Sequence, residues 1–300
     1  MLNWLRRRTP QTRAIVYTQD EMQYLFGTNN VGESGRLDQQ HYLFRTAFYQ
    51  AEHPGQGDYS APLRAPTAIL DVACGTGRWV FEMARRFPHA TVCGFDLQPP
   101  SFMQHTDLPP NCFLLQGDAL QRYPYDDRSF DFTMVRANSA FTPRARWQDR
   151  VSEMTRVTRE GGWIEIRDFD VVISESPAVS QLTRLFTQLA EKLKIYPGVG
   201  PHLSHILHQA GLRNVRSLSR HVQHIPRTIG SGSSGGQLMI VDYLALLEKV
   251  TDRIVEMRLA TKEHWQAQLA QARVETGVNP RSGQTLYKSS VILTSSFGQR

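Results

Sequence analysis

The sequence is short of cysteine and lacks any long apolar run, and each shortage excludes a class of protein. Only Cys74, Cys93 and Cys112 occur among 300 residues, far apart and without a Cys-x-x-Cys pair, so neither a zinc site nor a disulfide framework is indicated. Free thiols in a reducing cytoplasm are expected. No stretch approaches the roughly 18 consecutive apolar residues of a membrane span, and the N-terminus has no apolar signal core, so membrane insertion and secretion are not expected. A large excess of one charge is missing too. With 34 basic against 28 acidic residues the net charge is +6, a weak hint of an anionic partner. The densest basic run, Arg6-Arg7-Arg8, reads as a solvated tail, and no long basic stripe or nucleic-acid module accompanies it. Nucleic acid and membrane are therefore not expected partners. Hydrophobic residues at 40% and charged residues at 21% are the balance of a folded chain with a sizeable core.

What is present is an alternation of short apolar runs and amphipathic segments. Residues 1–65 read as a helical cap, with one helix from Asp20-Glu21 to Gly27 and a second from Leu37 to Tyr49 whose apolar stripe contains His41. A linker rich in proline and glycine closes the cap before Pro66. From Ala68 onward strands are expected at 68–72, 91–95, 112–116, 130–135 and 163–167. Helices are expected at 78–87 and 147–157, the second stopped by Gly161-Gly162. This implies a parallel sheet with right-handed crossovers over residues 66–170. Residues 171–300 would finish the sheet with strands at 215–222 and 286–297, and would add helices at 180–193, 202–210, 238–259 and 263–273. The run Gly230 to Gly236 reads as a flexible hinge for a lid. The expected fold is α/β, a single domain with a doubly wound, mostly parallel seven-stranded Rossmann-like sheet, a helical N-terminal segment and helical insertions forming a lid.

The chemistry gathers where strands end. Asp71-Val72-Ala73-Cys74-Gly75-Thr76-Gly77 joins the first strand to the first helix of this core, the end at which open α/β sheets bind ligands. Gly75 and Gly77 let the backbone turn tightly, and the helix start offers N–H groups to a carboxylate. Asp71 can accept from an ammonium, so the ligand carries an amino acid. Asp96 ends the second strand 21 positions after Gly75, where a carboxylate can take both hydroxyls of a ribose. Asp118, in Gly117-Asp118-Ala119-Leu120, can accept from an adenine amino group, with Leu97 and Leu120 as apolar faces for the ring. Amino acid, ribose and adenine in that order describe S-adenosyl-L-methionine. Each carboxylate alone could be a helix cap or a turn residue; their joint arrangement is what points to a site. A dinucleotide-binding fingerprint would need a third glycine, and Val80 occupies that position.

Asp71–Gly77, Gly94–Leu97, Gly117–Leu120 and Gly161–Trp163 resemble the successive motifs of class I S-adenosylmethionine-dependent methyltransferases. Glu33-Ser34-Gly35-Arg36-Leu37-Asp38-Gln39-Gln40-His41, Phe130-Asp131, and Gly161 to Glu165 followed by Asp168-Phe169-Asp170 are similar to the fungal methyltransferase-domain regulators of secondary metabolism, the velvet-complex type, whose bacterial relatives act on small molecules. That likeness implies that the Arg36 helix packs over the cofactor, with Arg36 and Gln40 near its methionine end. It also implies that Arg136 stands at the pocket edge beside Asn138. A competing reading of Arg36 pairs it with Asp38 on a solvated face.

Methyl transfer to such a site needs alignment and exclusion of water more than it needs a base. His41 is the expected base if the acceptor is still protonated. His202, His205 and His208 are set aside as a metal cluster, since six residues of helix turn the outer two about 240° apart. No carboxylate cluster follows the fourth strand, and neither does the Pro-Pro motif of enzymes that methylate exocyclic or amide nitrogen, so no metal is expected. Tyr24, Phe26, Phe141, Tyr196, Met239 and Tyr243 suggest an apolar or aromatic acceptor of natural-product type, taking the methyl group on N, O or C. The expected partner is that small molecule, with a homodimer left open. The alternative is a regulatory or macromolecule-directed protein on the same fold.

Overall fold

A computed structural model describes residues 31–49, 57–98, 100, 107–224, 234–277 and 287–300. The expected helix at 20–27, Tyr24, Phe26, the basic run at 6–8 and Gly230–Ser233 of the expected hinge lie outside these residues.

Strand β1 (Ala68–Val72) is buried along its whole length, as befits the centre of a parallel sheet covered on both faces. It pairs in parallel with β2 (Thr91–Asp96) on one side and β4 (Phe130–Arg136) on the other. β3 (Cys112–Gln116) extends the sheet beyond β2, and β5 (Thr158–Phe169) extends it beyond β4. β8 (Ser289–Gln299) runs antiparallel to β5, and β7 (Arg213–His224) antiparallel to β8. The order β3-β2-β1-β4-β5-β8 reverses direction between β1 and β4, the kind of place at which open α/β sheets bind ligands.

The structure corrects several expectations. The sheet has eight strands, not seven, because a two-residue strand, β6 (Ile173–Ser174), pairs with Ser289 and Ser290. Those serines pair with β7 on their other side, so β6 continues the edge that β5 leaves. Gly161-Gly162 do not stop the helix α3 (Trp147–Val157); it ends at Val157 and the glycines lie inside β5. The pairing of β5 with β4 jumps from Thr158 to Trp163 opposite Phe130 and Phe132. Gly161 bends there at φ +76°, and a Cβ on Gly162 would lie 2.9 Å from two carbonyl oxygens. The long helix expected at 238–259 is two, α6 (Ser234–Lys249) and α7 (Thr251–Glu256). Residues 234–236 open α6 rather than extending a loop, and a Cβ on Gly236 would overlap the Gln223 carbonyl of β7 at 2.0 Å.

The remaining helices are α1 (Val31–Phe48), α2 (Arg78–Arg86), α4 (Pro177–Lys192), α5 (Leu203–Gln209) and α8 (Lys262–Glu275). α4 starts three residues before the expected 180, with Ser176 accepting from the Val179 N–H and Pro177 at the first position. α2 buries Trp79, Val80, Met83 and Ala84 against Ile69, Val92, Phe132 and Met134. α3 and α5 cover the opposite face over Leu70, Phe95, Val135 and Ile166. α1, α4, α6 and α8 build a third apolar cluster around Phe44, Phe48, Leu182, Ile240, Trp265 and Leu293. Among the described residues no helix is long and apolar enough to cross a membrane.

Candidate active site

At the end of β1 the chain makes a tight turn. Ala73 (φ 55°), Gly75 (φ 59°) and Gly77 (φ 87°) all adopt left-handed backbone, which a non-glycine residue such as Ala73 holds only under constraint. The constraint is visible: Cys74 N–H donates to the Phe95 carbonyl (3.0 Å) and Gly75 N–H to Asp96 Oδ2 (2.8 Å). A Cβ on Gly94 would sit 2.5 Å from Val80 Cγ2, so that glycine is what lets α2 lie against β2. The start of α2 has no side-chain cap from Gly77; Arg78 N–H reaches Thr76 Oγ1 at 3.3 Å.

The three expected carboxylates stand in a row along this edge. Asp96 ends β2, half-buried, accepting from Gly75 through one oxygen and from Gln98 N–H through the other (3.2 Å). Burial pushes its carboxyl above the usual range, against the pull of the Gly75 N–H. Gly117 N–H donates to the Asp96 carbonyl (2.8 Å), which ties the β3 end to the β2 end. Asp118 Oδ1 accepts from Leu120 N–H (2.8 Å), while Leu97, Ala119 and Leu120 are half-buried beside it.

Asp71 is the unusual member. It is 1% exposed, and burial drives its carboxyl up to about 7, with Asp96 adding to the rise and Arg136 opposing it. Its Oδ2 has no hydrogen-bond partner among the described residues and lies 3.9 Å from Arg136 Nη2. Arg136, the last residue of β4, lies over the Trp79 ring at 5.5 Å and donates from Nη1 to His41 Nδ1 (3.1 Å), while its Nε finds no partner among the described residues. His41 Nε2 lies 3.1 Å from Glu82 Oε2. An orphan carboxylate oxygen and an orphan guanidinium nitrogen side by side at the ends of β1 and β4 fit a zwitterionic amino acid. His41 is no free base, because both of its ring nitrogens are engaged.

Other expected site residues are brought elsewhere. Arg36 and Gln40 do not join this cluster: Arg36 Nη1 and Gln40 Nε2 both donate to Asp242 of α6, at 2.8 and 3.1 Å, and the rest of the Arg36 guanidinium holds Glu33. Nor does Arg36 pair with Asp38 on a solvated face; it is 7% exposed. The Asn138 side chain accepts from Arg150 of α3, and its backbone N–H donates to Asp168 (2.8 Å), so it braces the loop after β4. Phe141, half-buried, closes a short 3₁₀ turn in that loop. Met239 and Tyr243 are buried in the apolar cluster of α1, α4, α6 and α8, with the Tyr243 hydroxyl on Thr183 Oγ1 (2.7 Å). Tyr196 packs against the α3–α5 cluster instead, stacked on His202 at 4.5 Å. His202, His205 and His208 are all exposed.

The residues missed by sequence reasoning are mostly polar and distant in sequence. Asp38 reaches the glycine turn, accepting from Thr76 Oγ1 (2.8 Å) and Arg78 Nη2 (3.0 Å), while Leu37 Cδ1 approaches Gly75. Glu82 of α2 meets His41 and Arg45 of α1 through one carboxylate oxygen. Asp168, fully buried, takes Asn138 N–H, Ser139 N–H, Ser139 Oγ and Phe169 N–H. The buried pair Glu165–Arg167 (2.7 Å) fastens residues 57–61 to β5 and thereby sets Asp58, whose carbonyl accepts from Trp79 Nε1 (3.0 Å). Asp38, Glu165 and Asp168 had a signal, since each lies within a segment that carries the fungal likeness.

Residues 69–162 match the family model described as a methyltransferase domain. The chain is 29% identical over 144 residues to the secondary metabolism regulator laeA of Aspergillus niger, covering 46% of this chain and 34% of that protein. It is 25% identical over 175 residues to methyltransferase cpsF of Aspergillus campestris, covering 53% and 61%. It spans between 34% and 61% of the length of these two curated relatives. Among solved structures, phosphoethanolamine N-methyltransferase 2 of Haemonchus contortus aligns at a TM-score of 0.46 and 12% identity over 87% of this chain and 52% of that one. Residues 69–162 are thus a methyltransferase domain, similar in sequence to that of the laeA proteins.

Proposed function

We propose that this chain, with its methyltransferase domain at residues 69–162, transfers a methyl group from S-adenosyl-L-methionine to a small, largely apolar acceptor. The observation that carries the cofactor reading is the row Asp71, Asp96 and Asp118 at three successive strand ends around the Gly75–Gly77 turn, with one Asp71 oxygen unspent. Asp71 and Arg136 would hold the amino-acid half, Asp96 the ribose, and Asp118 with Leu97, Ala119 and Leu120 the adenine. Bound there, the cofactor supplies an electrophilic methyl group on a sulfonium.

The chain's own work is then to orient and to exclude water. α1 lies over the glycine turn through Leu37 and Asp38, and the loop after β4 is held rigid by Asp168 and Arg150. With His41 engaged at both nitrogens and Asp71 given to the ammonium, no histidine of the described site is a free base, which suits an acceptor that is nucleophilic without help. The small-molecule reading is supported by Ala137 and Ala140, just past β4, which pack against the apolar cluster containing Phe44, Phe169, Met239 and Tyr243. An acceptor approaching by this side meets apolar surface. Three buried thiols suit a reducing cytoplasm, and a homodimer is compatible with this reading.

A second reading is a macromolecule-directed enzyme. It is favoured by one relative, the protein-methionine methyltransferase laeA of Emericella nidulans, 29% identical over 144 residues, 46% of this chain and 34% of that protein. Labelled methyl transfer into a small-molecule library, run beside transfer into cell-extract protein and RNA, separates the two. Label only in the macromolecular fraction would overturn the first reading.

A further inference from the structure

His41 belongs to a helix outside the matched domain, yet its ring touches the charged groups at the cofactor's amino-acid end. Arg136 can only donate, so the His41 Nδ1 that faces its Nη1 at 3.1 Å must carry a lone pair. The ring proton is therefore on Nε2, where it donates to Glu82 Oε2 at 3.1 Å. One tautomer of the neutral ring satisfies both contacts, and the imidazolium satisfies only the second. We infer that His41 is a positioning residue: gripped by Glu82, it fixes the Arg136 guanidinium beside Asp71 and so makes the pair a receptor for the amino-acid half of the cofactor. The inference rests on the cofactor reading above and adds to it how a helix beyond the domain completes the subsite.

The surroundings agree. His41 is 4% exposed, and burial together with Arg136 lowers its basicity, against the pull of Glu82 and Asp58. The charged groups facing it are Glu82 of α2, Arg136 of β4 and Asp58 of the 57–61 segment; Arg45 of α1 lies behind Glu82, on the same carboxylate oxygen. The Arg136 guanidinium has the Trp79 ring on one side, so lateral freedom is what His41 removes. Arg136 Nε and Asp71 Oδ2 stay unspent among the described residues, each within the buried layer. An ammonium for Asp71 and a carboxylate for Arg136 satisfy both orphans, and a ligand without the amino acid satisfies neither.

The test pairs a variant with a truncated ligand. Calorimetry measures S-adenosylhomocysteine and 5′-methylthioadenosine, the same nucleoside without the amino acid, against wild type, His41→Ala and His41→Gln. His41→Ala is expected to weaken S-adenosylhomocysteine about tenfold and methylthioadenosine by less than about twofold, since a hydrogen bond to a charged group is at stake only in the first. Gln, with an amide oxygen for Arg136 and an amide N–H for Glu82, is expected to restore most of the loss. If the Ala variant fails to fold, His41→Phe keeps the buried ring without its nitrogens and carries the same comparison. Equal losses for both ligands, or none for the homocysteine compound, overturn the inference while leaving the cofactor reading intact. Failure of wild type to bind either ligand overturns both.

Discussion

Replacing Asp71 by Asn should make the ligand-free protein more stable near neutral pH while abolishing cofactor binding. A carboxyl raised by burial from 3.8 to about 7 prefers to be protonated in the folded chain. Its favourable contribution is complete below the unfolded value, shrinks as pH rises, and is gone above about 7. Between pH 5 and 7 the wild type should therefore lose about 2–3 kcal/mol relative to the Asn variant, at 1.36 kcal/mol per unit. At about 2 °C per kcal/mol for a chain of this size, the two melting curves should separate by about 5 °C over that interval and run parallel above pH 8. S-adenosylhomocysteine should raise the melting point of the wild type and leave the variant unmoved, because Asn offers no charge to an ammonium. Differential scanning calorimetry from pH 5 to 8.5, with and without the nucleoside, reads both effects. A variant destabilised by the same amount at every pH would refute the reasoning, since it would mean that Asp71 is ionised and well paired in the free protein.

Three further outcomes follow from single contacts. Asp96→Ala should weaken S-adenosylhomocysteine by about 100-fold in calorimetry, through loss of two charged hydrogen bonds and of the acceptor for Gly75 N–H; unchanged affinity refutes the ribose assignment. Gly94→Ala should destabilise the fold by about 1–3 kcal/mol in denaturant titration, because its Cβ would lie 2.5 Å from Val80 Cγ2 and 3.0 Å from Cys74 Sγ. Asp242→Ala leaves the buried Arg36 without its α6 partner and should cost about 3–5 kcal/mol, with faster amide hydrogen exchange along α1 than along α3; uniform exchange refutes the view that this pair anchors α1.

The parts of the fold legible in the sequence were those written locally. β1 and β3 begin and end where the apolar runs place them, because short buried strands between crossovers have few other readings, and α3 keeps its expected span although Gly161-Gly162 are not what ends it. The placement of three carboxylates along one sheet edge was legible for the same reason: Asp71 and Asp96 lie at the ends of β1 and β2, and Asp118 lies just beyond β3. The misplaced elements were decided at long range. Nothing within residues 158–162 announces that Gly161-Gly162 sit in a strand, since the bulge exists only opposite Phe130–Phe132. The break at Val250 is set by how α6 and α7 pack on α8. Arg36 and Gln40 read as cofactor ligands because their partner Asp242 is more than 200 positions away. Glu82 and His41 meet only because α1 folds back over α2, and an alternating polar pattern on each helix says nothing of that contact.

The central claim is that the ends of β1, β2 and β3 form one binding surface for a sulfonium nucleoside. A calorimetric titration of the full chain with S-adenosylhomocysteine at pH 7.5 addresses it most directly. Saturable binding at one site per chain, lost in Asp96→Ala, is the expected result. Absence of heat at millimolar ligand, with the protein folded by circular dichroism, would contradict the account.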